Sequence, residues 1–198
     1  MVYMTASEQV YYHILEGSPL LFADERCKKK LLDLTFGRYR QLGWRLYAFC
    51  VTDSAAYFLS VTGRHGFKEE YLQYVADEFL TWSGEYPDIW IGNSISLRAR
   101  IIREIKSMEE IVECCRLIHR VPLELGYVER ISDYWWSSYI TYMETYNWEL
   151  VDCHAVFVYF SMNSGVARYR IRKFHAFCEL PTIYITEANG GCDEKIRK

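Results

Sequence analysis

The chain has 198 residues, of which 51% are hydrophobic and 17% aromatic. A chain of this size and composition can bury a substantial core as one domain, without support from disulfides or metals. The net charge of -3 excludes nucleic-acid binding that is driven by overall charge, because neutralising phosphates needs a basic surface. Any nucleic-acid site must therefore be a local patch.

The cysteines and the apolar runs indicate where in the cell the protein is expected. The seven cysteines show no paired CxxC spacing, and no secretory signal pattern opens the sequence. We therefore expect reduced, mostly buried thiols in a cytoplasmic protein. The longest apolar runs fall far short of the roughly 20 residues that a membrane-spanning helix needs, which argues against a membrane role.

The first part of the chain alternates strand and helix patterns. Val10 to Glu16 is rich in β-branched and aromatic residues and ends at a Gly-Ser-Pro turn, which predicts a strand. Glu25 to Gln41 has the spacing of an amphipathic helix with a basic exposed side. Trp44 to Val51 and Ala55 to Val61 pair most simply as an antiparallel hairpin, closed by the polar corner at residues 52–54.

A second helix and strand follow the hairpin. Lys68 to Trp82 predicts an amphipathic helix, and Gly84 to Asn93 predicts a loop. Ser94 to Ile105 predicts a strand, although its arginines would also suit a helix. Ser107 and Glu110 have the spacing of a capping box, so a helix should run from residue 108 to about 120, before the proline at 122.

The last third of the chain is aromatic and then basic. Asp133 to Tyr142 predicts a short helix or turn packed on the core, and Val166 to Phe177 predicts a helix with several basic residues. Val151 to Phe160 is ambiguous between helix and strand. We predict one domain over residues 1–180 and a flexible C-terminal tail over residues 181–198.

Several of these segments match one known pattern in order. They are YYHILEGSPLLFADERCKKKLL from residue 11, LGWRLYAFC from residue 42, RLIHRVPLELGYV from residue 116 and DYWWSSY from residue 133. Together they resemble the REP-associated tyrosine transposases of the HUH single-tyrosine superfamily. The most specific matches in mutual spacing are Ile118, His119, Pro122, Gly126, Val128, Trp136, Ser137, Ser138 and Tyr139.

The resemblance implies a chemistry that this chain lacks. In that family, two histidines separated by one residue hold a divalent metal, and a helix-borne tyrosine attacks a DNA phosphate. Here Ala55 and Tyr57 stand in the places of the histidines, and Leu117 stands in the place of the nucleophile. Alanine cannot bind a metal, a phenol is a poor substitute for imidazole, and leucine cannot attack phosphorus. The resemblance thus implies an inactive relative that has no nuclease activity, metal or other cofactor.

The resemblance also implies a fold and partners. We expect an α+β domain with a central antiparallel sheet of four or five strands, helices mainly on one face, and assembly as a homodimer. The family binds DNA hairpins through basic surfaces, with aromatic and Arg side chains able to stack on unpaired bases. The candidate DNA-binding residues are Lys28, Lys29, Arg38, Arg40, Arg98, Arg100, Arg103, Arg168, Arg172 and Lys173.

Several interpretations remain open at this point. The leading one is a nuclease-inactive, transposase-like protein that binds single-stranded or hairpin DNA. One alternative is a protein-interaction module in which the basic residues are only solvated. The other is an active enzyme with substitute residues, such as Tyr57 as a relocated nucleophile.

Other candidate ligands also have ordinary structural explanations. Asp53 and Ser54 could hold a metal, but an Asp-Ser corner is typical of a turn. His119 lies two positions beyond Leu117 on the predicted helix, so we expect a structural histidine that faces elsewhere. Cys153, His154, His175 and Cys178 are residue types that bind zinc, but their spacing matches no known zinc-site pattern.

Overall fold

The computed structural model describes residues 8–63, 66–86, 95–160 and 167–180. Within these residues, four strands form one antiparallel sheet in the order β2-β3-β1-β4. The strands are β1 (Gln9–Gly17), β2 (Arg45–Val51), β3 (Ala55–Thr62) and β4 (Leu97–Ile105). The predicted α+β class and the four-stranded antiparallel sheet are confirmed.

Helices lie on both faces of this sheet, where the sequence predicted them mainly on one face. They are α1 (Glu25–Leu42), α2 (Glu69–Gly84), α3 (Met108–Glu124), α4 (Tyr139–Tyr142), α5 (Cys153–Tyr159) and α6 (Ala167–Glu179). Helices α1 and α2 enclose one hydrophobic core against the sheet, and α3 to α6 enclose a second core on the opposite face. In β3, Ala56 and Phe58 belong to the first core, while Ala55 and Leu59 belong to the second. Because the strand is apolar on both faces, both faces must be covered.

Two segments differ from the sequence prediction in detail. Helix α3 continues through Pro122 to Glu124, although a proline usually ends a helix. Val121 and Pro122 are buried, and the carbonyl of Pro122 accepts a hydrogen bond from Tyr127 at 2.9 Å, so packing and the closing turn offset the missing N–H. The ambiguous segment over residues 151–160 contains helix α5, whose first turn is capped by Asp152.

The corner between β2 and β3 is the predicted turn. The Thr52 hydroxyl and backbone amide both donate to the carbonyl of Ala55, at 2.9 and 2.7 Å. The carbonyls of Asp53 and Ser54 accept hydrogen bonds from Phe22 and Gly17, each at 2.8 Å. The corner is thus tied to the start of the chain as well as to its own hairpin.

The outer edge of β2 is closed by later parts of the chain. The amide of Val51 donates to Trp136 at 2.8 Å, and the amide of Ser138 donates to Phe49 at 3.0 Å. Further along the edge, the amide of Leu46 donates to Leu150 at 2.9 Å. These bonds satisfy an edge that would otherwise pair with another strand, and they fix the aromatic segment around residue 135 beside β2.

Two fully buried histidines lie in the two cores. His13 contacts the hydroxyls of Tyr39 and Ser60 at 2.8 and 2.6 Å, and His119 contacts the hydroxyl of Ser138 at 2.7 Å. Burial lowers the pKa of each imidazole from 6.5 to about 3. His119 is therefore a neutral structural histidine, as predicted.

The remaining predictions concern the cysteines, membrane-spanning helices and the C-terminal tail. The six cysteines within the described ranges are free thiols, and five of them are buried. In the same ranges, no helix is long and apolar enough to cross a membrane. The predicted tail over residues 181–198 lies outside the described residues.

Candidate nucleic-acid interface

The three positions singled out by the resemblance lie on one side of the sheet. Ala55 and Tyr57 are two residues apart near the start of β3, so both side chains point to the face covered by α3. Leu117 lies on α3 itself, which packs against β2 and β3, and its side chain is buried. We call this side of the sheet the α3 side.

Charged residues extend this surface across the neighbouring strands. Ala55 is paired with Glu16 of β1, and Glu16 is paired in turn with Arg98 of β4. Paired residues on adjacent strands share a face, so the glutamate and the arginine also lie on the α3 side. Arg100 donates to the carboxylate of Glu16 at 3.0 Å. Arg98 is exposed, and within the described ranges no carboxylate oxygen lies within 4.0 Å of its guanidinium nitrogens.

The Tyr57 hydroxyl is a poor nucleophile and a poor metal ligand in this position. Burial raises the pKa of Tyr57 to about 12, and the neighbouring Cys50 and Glu16 act in the same direction. At neutral pH the hydroxyl is therefore protonated, which makes it a weak nucleophile. With Ala55 as its neighbour on the same face, Tyr57 does not supply the ligand set that a divalent metal needs.

Lys28 has a structural role that the sequence prediction did not anticipate. Its side chain is buried, and its ammonium donates to the carboxylate of Asp53 at 2.7 Å. The pair joins α1 to the corner between β2 and β3. Because its charge is already neutralised inside the fold, Lys28 is less suited to contact a DNA phosphate than an exposed residue such as Arg98. The same contact occupies the carboxylate that was considered for a metal.

The other candidate residues on α1 lie on the opposite face from the α3 side. Lys29 is exposed and pairs with Asp33 at 2.7 Å. The Arg38 guanidinium lies over the ring of Tyr74, 4.8 Å from its centre. Arg40 pairs with Glu149. These three residues do not form one surface with the arginines of β4.

The candidate residues on β4 and α6 do belong to the α3 side. Arg103 contacts Glu110 at 3.3 Å at the start of α3. Arg172 and Lys173 are exposed on α6, and the Lys173 ammonium lies 5.4 Å from the ring centre of Tyr169. The side chain of Arg168 lies outside the described residues. The structure therefore narrows the candidate interface to the β4 arginines, with α6 on the same side.

Sequence reasoning missed the partners that complete this surface. Glu16 was placed on a strand without a role, and the exposed rings of Tyr127 and Trp135 were not separated from buried aromatic residues. The doubled tryptophan at 135 and 136 was the available signal, since adjacent residues of an extended segment face opposite ways. The role of Glu16 had no local signal, because it depends on pairing with β4.

The possible zinc set is not assembled. Within the described residues, no three His, Cys, Asp or Glu side chains are grouped so that they could hold a metal ion. This covers Cys153, His154, His175 and Cys178. The imidazole of His175 instead contacts the hydroxyl of Tyr139.

Comparisons with known proteins support the fold. No family model matches the chain, and no curated protein matches its sequence. Among solved structures, the fold is similar to a REP-associated tyrosine transposase bound to a REP hairpin, with a TM-score of 0.56 and 11% sequence identity. The match covers 78% of this chain and 94% of the transposase chain. At this identity the likeness shows a relationship of fold.

Proposed function

We propose that this chain is a nuclease-inactive, transposase-like protein that binds single-stranded or hairpin DNA. The observation that carries the proposal is the composition of the α3 side. Ala55, Tyr57 and Leu117 share that side, and none of them can supply the family's metal ligands or nucleophile. The likeness in fold to a transposase bound to a hairpin supports DNA as the partner.

The charges on the same side support binding without catalysis. A phosphate that lies along β4 would meet the guanidinium group of Arg98, and that of Arg100 in exchange for its contact with Glu16. Guanidinium groups bind phosphate oxygens through paired hydrogen bonds. They neutralise a phosphate in its ground state, but a nucleophile is still required for strand cleavage. A single domain over residues 1–180 and a homodimer are parts of the same proposal.

The first expected result concerns catalysis. Purified protein incubated with Mg²⁺ or Mn²⁺ and a hairpin-bearing single-stranded DNA should form no covalent protein–DNA adduct, because Tyr57 is neutral and Leu117 is inert. Denaturing electrophoresis of a labelled hairpin measures this directly. An adduct that disappears in Tyr57→Phe would establish the active enzyme with a relocated nucleophile instead.

The second expected result concerns the phosphate contacts. Replacing Arg98 and Arg100 by alanine should weaken hairpin binding at least roughly tenfold near 0.1 M salt, and it should lower the slope of log affinity against log salt by about 1.4. The matched control is Lys29→Ala with Arg38→Ala, which removes the same charge from α1 on the opposite face. Fluorescence anisotropy at several salt concentrations measures both quantities. Equal losses in the two double variants would place the interface elsewhere.

A protein-interaction module that does not bind DNA is the second candidate. The arrangement of the basic residues favours it, since Lys28, Lys29 and Arg40 are paired with carboxylates and lie away from the β4 arginines. The same anisotropy measurement separates the two functions. Affinity that falls steeply with salt supports DNA binding, and no binding at low salt supports the interaction module.

A further inference from the structure

Three aromatic rings form a cluster beside the outer edge of β2. The ring centres of Trp135 and Trp148 lie 4.9 Å and 4.9 Å from that of Tyr146, and 6.4 Å from each other. Trp135 is 50% exposed and Tyr146 is 42% exposed. We call these three residues the aromatic platform.

The platform has a rigid base. Trp148 packs edge-on against Phe36 of α1 and Phe49 of β2, with ring centres 5.9 and 5.4 Å away. On the other side, both sequence neighbours of Trp135 are bonded to Val51. The Tyr134 hydroxyl donates to the Val51 carbonyl at 2.7 Å, and the Val51 amide donates to the Trp136 carbonyl at 2.8 Å. The ring of Trp135 is thus held half in water between two fixed neighbours. Large rings are usually buried more deeply than this.

The platform and the arginine pair lie at the same end of the sheet. Val51 ends β2, Ala55 begins β3, and Arg98 is the second residue of β4. Adjacent strands are about 4.8 Å apart, so three spacings separate β2 from β4 by roughly 14 Å, and the platform lies beyond β2 with Trp148 on the α1 side. A few nucleotides of single-stranded DNA can cover such a distance.

We infer that the aromatic platform stacks an unpaired nucleobase of single-stranded or hairpin DNA. This inference rests on the proposed function, and it adds a base contact to the phosphate contacts of β4. Stacking needs a fixed ring with an open face, and every base offers a flat partner. Two half-exposed side chains form a patch far smaller than the roughly 800 Å² that a stable protein interface buries on each partner.

The test combines a protein change with a DNA change. One probe is a hairpin with a short unpaired thymidine overhang, and the second has the same overhang built from abasic sugar-phosphate. Trp135→Ala should bind the thymidine probe at least about fivefold more weakly than the unmodified chain does, and it should bind the abasic probe equally well. Trp135→Phe should retain most of the affinity. The matched control is Tyr159→Ala, a change at another exposed ring, on α5.

The outcomes separate this inference from the proposed function. If the unmodified chain binds neither probe, DNA binding fails and the inference fails with it. If the chain binds both probes equally, or if Trp135→Ala weakens both by the same factor, stacking fails while DNA binding stands. Thermal unfolding checks that each variant is folded. If Trp135→Ala does not fold, Tyr146→Ala gives the same comparison.

Discussion

Lowering the pH from 7 to 4.5 is expected to reduce the free energy of unfolding by about 5 kcal/mol. The cause is the pair of buried histidines, His13 and His119, each with a pKa lowered by burial from 6.5 to about 3. Between these two values the unfolded chain binds protons that the folded chain does not. Their contribution is therefore fully present above pH 6.5 and is lost as the pH falls towards 3. At pH 4.5 each histidine accounts for about 2.5 kcal/mol of this change.

The surroundings of both rings explain why they resist protonation in place. His13 lies between the rings of Phe58 and Phe67, with centres 5.1 and 4.6 Å away, and its hydrogen-bond partners are neutral hydroxyls. His119 is surrounded by the rings of Tyr139, Tyr142 and Phe174. Burial is the cause of both shifts, so a proton would bring an uncompensated charge into an apolar core.

Urea unfolding at several pH values between 7 and 4.5 measures this effect. His119→Gln and His13→Gln should each flatten the pH dependence by about 2.5 kcal/mol over that range, whatever they cost at pH 7. His175→Gln makes the same substitution at an exposed histidine and is the matched control. An unchanged slope in both buried-site variants would mean that carboxylates alone cause the acid sensitivity.

Local patterns in the sequence were sufficient for the main elements. The Thr-Asp-Ser corner between two apolar runs predicted the hairpin of β2 and β3, because turn chemistry acts over a few residues. The capping box predicted the start of α3, where the amide of Glu110 donates to the Ser107 hydroxyl at 3.2 Å. The end of α3 was not predicted, because the burial of Pro122 depends on residues far along the chain.

The candidate site depends on contacts between distant segments, which local patterns do not contain. The row from Ala55 through Glu16 to Arg98 exists because β1 pairs with both β3 and β4, and the pairing with β4 joins residues about 80 positions apart. The burial of Lys28 against Asp53 likewise joins α1 to a later turn. The resemblance named Ala55, but only the strand register shows which charged groups surround it.

That register makes a restored metal site the strongest test of the positional assignment. Ala55→His with Tyr57→His should create a site that binds a divalent metal with a dissociation constant on the order of micromolar, about 8 kcal/mol of binding free energy. Residues two apart on β3 place both imidazoles on the α3 side. Glu16, paired with residue 55, adds a carboxylate beside them. Two imidazoles and one carboxylate form a ligand set that divalent transition metals accept.

Co²⁺ absorption and Ni²⁺ calorimetry measure whether the double variant binds metal, and the unmodified chain is the reference. Adding Glu16→Gln should weaken binding, because it removes the charged ligand. Adding Arg100→Ala should strengthen binding, because Arg100 donates to the same carboxylate at 3.0 Å and competes with the metal for it. These opposite shifts distinguish the designed site from metal held elsewhere on the surface. A double variant that folds normally and binds no metal would show that residues 55 and 57 do not occupy the histidine positions that the resemblance assigns to them.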